Sequence, residues 1–215
     1  MRAEFASVAA RSDRPNGNWV GVTAGAVVLL DSDGCGTERE LRLFGSSVLG
    51  RIADPAVAVR SCLGEVSVQT QQPSDGCEGG DFTRSPRLAA AVLRCVGGVL
   101  EWVVVHDAVV VLDVPGGLRV IVGELDEDGR TAAGEPVSGR VELADVRQAA
   151  VLSGGAARLV TFGLAVWRQV MDTLAKDGPQ VLIDEIRQFE AVDREGRRWP
   201  RSGTTDDATA VLVRF

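Results

Sequence analysis

At 215 residues, with 45% hydrophobic and 25% charged, the chain has the apolar content of a single folded domain spanning residues 1–215; a largely disordered chain is excluded. Its net charge of −7, with every basic residue but Lys176 an arginine and no basic cluster, excludes nucleic acid and an anionic membrane as main partners. No apolar run nears the roughly 20 residues a spanning helix needs. The start at Met1-Arg2-Ala3-Glu4 carries no secretory signal, and Cys35, Cys62, Cys77 and Cys95 form no Cys-x-x-Cys pair. A cytoplasmic protein with reduced thiols and no zinc site is therefore expected.

The elements follow in chain order. Glu4–Ala9 reads as a first strand, and Arg11–Asn18 as a polar turn broken by Pro15 and Gly17. Trp19–Val22 and Ala26–Asp31 read as strands, the second a continuous apolar run suited to a buried central position. Thr37 and Glu40 have the capping-box spacing, and Leu41, Phe44, Val48, Leu49 and Ile52 recur at helical spacing behind them. Asp54-Pro55 predicts a second helix start, with Val59, Cys62, Leu63 and Val66 as its apolar face. Gln71–Pro86 is a polar loop. Leu88–Val96, Val99–His106, Ala108–Asp113 and Leu118–Val122 form a β-meander, with Gly97-Gly98 and Pro115-Gly116-Gly117 as hairpin turns.

Glu124–Arg140 reads as an acidic surface loop, its 124–129 stretch either a flap or a solvated turn, and Val151–Ser153 as a short strand. Trp167, Val170, Met171 and Leu174 mark one late helix; Leu182, Ile186 and Phe189 mark the next, after Gly178-Pro179. Thr209–Phe215 alternates as a last strand. Paired helices between runs of closely joined strands predict an α+β sandwich of antiparallel sheets.

Carboxylates fall at the ends of these strands: Asp31, Asp107 beside the only histidine, His106, and Asp206-Asp207 before the last strand. Oxygen ligands in such places suit a hard divalent cation. Aspartates are also ordinary turn residues. The segments Arg14-Pro15-Asn16-Gly17-Asn18, Ala26–Asp31, Glu101–Leu112, Val151–Val160, Arg198-Trp199-Pro200 and Thr205-Asp206-Asp207-Ala208-Thr209 together resemble the metal-dependent type 2C (PPM) serine/threonine protein phosphatases, in a compact form common in actinobacteria.

That resemblance implies a β-sandwich of two antiparallel sheets flanked by helix pairs. It also implies a centre in which two Mg²⁺ or Mn²⁺ ions activate a bridging water. The family's Asn-Glu-Asp stands here as Asn16-Gly17-Asn18, and the Asp of its Ser/Thr-Asp-Gly is Gly154. Asp31 and Asp206 keep the family's carboxylates as residual metal ligands, and the meander's Gly-Asp-Ser is His106-Asp107-Ala108. Losing charged ligands from a binuclear site removes most of its dication affinity. No cofactor is expected beyond, at most, one weakly bound Mg²⁺ or Mn²⁺.

Three readings stay open at this point. One is a pseudophosphatase that binds a protein or peptide partner, or a small-molecule ligand, in the old cleft. Another is a repurposed enzyme doing metal-independent chemistry, in a specialised biosynthetic pathway for instance, with His106, Asp107 or Cys35 as catalytic candidates. The third is a weak metal-dependent phosphatase. Arg14, Asn16 and Asn18 are the candidate phosphate- or ligand-binding residues. His106 suits acid–base work near neutral pH, and Cys35, just ahead of a helix start, suits a lowered thiol pKa.

Overall fold

The computed structural model describes residues 1–32, 37–62, 88–123, 136–201 and 203–215. Cys35, the loop Gln71–Pro86 and the acidic stretch 124–129 lie outside the described residues. The described strands are β1 (Arg2–Val8), β2 (Asn18–Val22), β3 (Ala26–Ser32), β4 (Leu88–Val96), β5 (Val99–Val105), β6 (Val109–Val114), β7 (Gly117–Val122), β8 (Val137–Glu142), β9 (Gln148–Leu152) and β10 (Ala208–Arg214). They form two five-stranded sheets, ordered β1-β10-β9-β6-β7 and β2-β3-β4-β5-β8. Every strand pairing among the described residues is antiparallel.

The helices are α1 (Glu38–Ile52), the short α2 (Arg158–Thr161), α3 (Trp167–Lys176) and α4 (Pro179–Val192). Thr37 and Glu40 close the capping box that the spacing predicts. The Asp54-Pro55 start is corrected. Asp54 caps a turn by accepting the Ala56 N–H at 2.9 Å, and the described helical residues begin only at Val59.

Alternation along the strands builds three apolar layers. Val27, Leu29, Leu93, Val110, Leu112, Val151 and Val211 meet between the sheets. Val28, Leu30 and Val92 face α1, while Val111, Leu152, Ala210 and Leu212 face α3 and α4 with Met171, Leu174, Ile183 and Ile186. Each fully buried Leu or Val contributes about 1.5–3 kcal/mol relative to exposure. Buried Arg94 ties the end of α1 to the sheet. It donates to the carbonyls of Ile52, Asp54 and Val57 and pairs with Glu101 at 2.5 Å.

The loop expected over Glu124–Arg140 is corrected at its end, residues 137–140, because Val137–Glu142 pairs with β5 as an edge strand. Gly139 is required there: a Cβ would lie 2.4 Å from the Trp102 ring. No helix among the described residues is long and apolar enough to cross a membrane.

Candidate functional site

The candidate residues that lie in the described part, Arg14 excepted, gather at one end of the sandwich. There β3 finishes, β5 turns into β6, β9 ends and β10 begins. Asn18 and Asp31 are cross-strand partners. They share the face that carries Val27 and Leu29, so both point toward the opposite sheet.

Asn18 is 8% exposed, and its Nδ2 donates to Thr209 Oγ1 at 3.1 Å across the gap. Thr209 Oγ1 in turn meets Ser7 Oγ at 2.6 Å, and Asn16 Nδ2 donates to that same Ser7 oxygen. Asn16 Oδ1 accepts the Asn18 N–H at 2.9 Å, closing an Asx turn. Asn16 and Asn18 thus brace the two sheets. Among the described residues, Asn18 Oδ1 is the buried side-chain oxygen without a hydrogen-bond partner.

The Asp206-Asp207 pair divides its work. Asp207 accepts the backbone N–H of Ala10 at 2.5 Å and of Gly17 at 2.6 Å, so its carboxylate pins the N-terminal loop. Residue 17 has no room for a side chain there. A Cβ would lie 2.6 Å from the Ser32 carbonyl and 2.9 Å from Asp207 Oδ2. Asp206, with its side chain about 50% exposed, accepts from Arg158 Nη2 at 3.2 Å. Burial pushes the Asp206 carboxyl above its ordinary range. Arg158 and the Asp207 N–H oppose that rise, while the charges of Asp107 and Asp207 add to it.

Behind the mouth, Arg158 also binds the fully buried Glu190 carboxylate. Arg187 pairs with the other Glu190 oxygen at 2.6 Å and donates to the Asp206 carbonyl at 2.7 Å. The site's charged support therefore comes from α2 and α4. Reading the sequence by motif missed it, although Glu190 follows Leu182 and Ile186 at helical spacing and is thus a carboxylate on the buried stripe of α4.

His106 and Asp107 form the turn between β5 and β6 rather than continuing a strand, so strict side-chain alternation does not apply to them. His106 takes a left-handed φ of 58°, and Gly123 packs tightly against its backbone, where a Cβ would meet the His106 carbonyl at 2.2 Å. The turn sends Asp107 over residue 154. A Cβ built on Gly154 would lie 2.2 Å from Asp107 Oδ2. Arg14 stands exposed on the loop before Asn16, apart from this cluster of bonds.

A separate open cavity of about 390 Å³, lined by Leu164, Gln169, Thr173, Lys176, Asp177 and Glu185 among others, shares none of the mouth residues. Among the described residues no group of three or more His, Cys, Asp or Glu side chains is placed to hold a metal ion.

No protein-family model and no curated protein matches the sequence. Solved structures do match the fold. The serine/threonine phosphatase Stp1 from Staphylococcus aureus aligns over 100% of this chain and 95% of its own, at 13% identity and a TM-score of 0.65. The Mycobacterium tuberculosis serine/threonine phosphatase PstP/Ppp aligns over 100% and 98%, at 14% identity and a TM-score of 0.61. The PstP catalytic domain in complex with 2 manganese ions aligns over 99% and 97%, at 16% identity and a TM-score of 0.60. The chain has the α+β type 2C phosphatase fold.

Proposed function

We propose that this chain uses the type 2C phosphatase fold as a binding or regulatory scaffold in the cytoplasm, without a complete binuclear metal centre. The donor set is the observation that carries the reading. Two-metal chemistry needs several carboxylates converging on the ions. Here residue 17 has no side chain and no room for one, residue 18 offers a neutral amide, and the space at residue 154 holds the Asp107 carboxylate. Asp207 is committed to two backbone N–H groups and Asp206 to Arg158.

These residues do not fit two ions bridged by a hydroxide. Asp31 with Asn18 Oδ1 is a set for at most one weakly held Mg²⁺ or Mn²⁺, because only one of the two oxygens carries charge. The mouth then serves as a recognition surface for a protein or peptide partner or for a small molecule.

The test is phosphate release from a phosphothreonine peptide in millimolar Mn²⁺, with Asp206→Ala alongside. The expected result is no turnover above the variant. Turnover that disappears in Asp206→Ala overturns the reading and restores a metal-dependent phosphatase.

A further inference from the structure

We infer that the Arg158 guanidinium is a built-in cation that occupies the carboxylate end of this mouth and keeps divalent metal off Asp206. The inference rests on the reading of the mouth as lacking a binuclear centre, and it names what stands there instead. Two acidic side chains from distant parts of the chain, Asp206 before β10 and Glu190 on α4, converge on this one side chain. Arg158 itself is 6% exposed and Glu190 is 2% exposed, so the arrangement is set in the protein interior and opens to solvent only at Asp206.

A guanidinium is planar, stays charged at any physiological pH and presents several N–H donors in fixed directions. It neutralises the Asp206 carboxylate as a metal ion does, but it is no Lewis acid: it can donate a hydrogen bond to a water and cannot coordinate one or lower its pKa. A dication approaching Asp206 also meets a like charge at hydrogen-bond range of its intended ligand, which is strongly unfavourable near a protein surface. Arg187 strengthens the device. It holds the second Glu190 oxygen and the Asp206 backbone carbonyl, so both acidic residues keep their places if Arg158 is lost.

The prediction is that removing the guanidinium creates metal affinity. Mn²⁺ binding is followed by the electron paramagnetic resonance signal of free Mn²⁺, with circular dichroism melting to confirm folding. The chains are the native protein, Arg158→Gln, Arg158→Lys and Arg158→Gln with Asp206→Asn. Arg158→Gln is expected to bind Mn²⁺ at least tenfold more tightly than the native chain. Arg158→Lys, which keeps a cation, stays at the native level, and the Asp206→Asn double variant loses the gain. Equal affinity in Arg158→Gln and the native chain overturns the inference and leaves the proposed function standing. Two ions bound at micromolar Mn²⁺ by the native chain overturn the proposed function itself. If Arg158→Gln does not fold, Arg158→Gln with Glu190→Gln removes the buried pair together and carries the same expectation and the same refutation.

Discussion

Placing a carboxylate at residue 154 by Gly154→Asp should destabilise the protein. The backbone is not the obstacle, because Gly154 sits at φ −52° and ψ −42°, where any L-residue is comfortable. The obstacle is Asp107, whose Oδ2 lies 2.2 Å and Cγ 2.9 Å from the position a Cβ would take. Asp107 is exposed, so Gly154→Ala, which only asks that side chain to shift, should cost less than Gly154→Asp. Gly154→Asp adds a third carboxylate beside Asp107 and Asp206, whose charges already act on one another.

Two like charges about 4 Å apart repel by about 4 kcal/mol near a protein surface, and solvent exposure at this mouth reduces that to about 2 kcal/mol. For a chain of this size that is a fall in Tm of roughly 4–8 °C. The assay is thermal melting at pH 7 in low salt without divalent metal. Gly154→Ala should lose less than half as much, and Asp107→Ala should recover at least half of the Gly154→Asp loss. Lowering the pH toward 4 should shrink the loss, since protonation removes the repulsion. An unchanged Tm in Gly154→Asp, or a loss that Asp107→Ala does not relieve, refutes the reasoning.

Other expectations follow from the same geometry. Asp207→Ala leaves the Ala10 and Gly17 N–H groups without their acceptor and should lower stability by about 2 kcal/mol in urea unfolding, with wild-type stability contradicting the pin. Gly45→Ala would gain about 1 kcal/mol from helix propensity alone. Its Cβ would however lie 2.2 Å from the Trp19 ring that seats α1 on the sheet, so a net loss of about 1–3 kcal/mol is expected, and a raised Tm would contradict that packing. Asp193 supplies a pH dependence. Its burial raises the carboxyl pKa, but the N–H groups of Trp199, Arg198 and Arg197 and the Arg201 guanidinium outweigh that and hold it at about 2. A depressed carboxylate contributes stability above its unfolded pKa and loses it as pH falls through the folded value. Melting scans from pH 5 to pH 2 should therefore show a steeper loss in the native chain than in Asp193→Asn, and equal slopes would contradict the assignment.

The sandwich was legible in the sequence wherever packing and pattern agree. Ala26–Leu30 is buried on both faces and reads as a continuous apolar run, and it lies inside its sheet with a strand paired on either side. Thr37 and Glu40 announced α1 because a capping box is local chemistry. Val137–Glu142 was not legible. An edge strand needs few apolar residues, and Ser138, Gly139 and Arg140 read as loop until Trp102 is seen lying over the glycine. Gln148–Leu152 was half seen, since Gln148-Ala149-Ala150 has little strand preference and is held by neighbours on both sides.

At the site, the side chains offered at residues 16–18, 31 and 206 could be read from the sequence segments that carry them, because those segments are contiguous. Where the charges go could not. Arg158 meets Glu190 across 32 residues and Asp206 across 48, and only the packing of α2 and α4 against β10 brings them together. The filling of the space at residue 154 by Asp107 likewise depends on the left-handed turn at His106, which the strand pattern around it conceals.

The central claim is that this mouth does not assemble two metal ions. Equilibrium dialysis of the native chain against 1 mM Mn²⁺, with bound metal counted per chain, tests it most directly. The account predicts at most one ion, weakly held and lost on dilution. Two ions per chain, both retained on dilution and both lost in a variant carrying Asp31→Ala and Asp206→Ala, would contradict it.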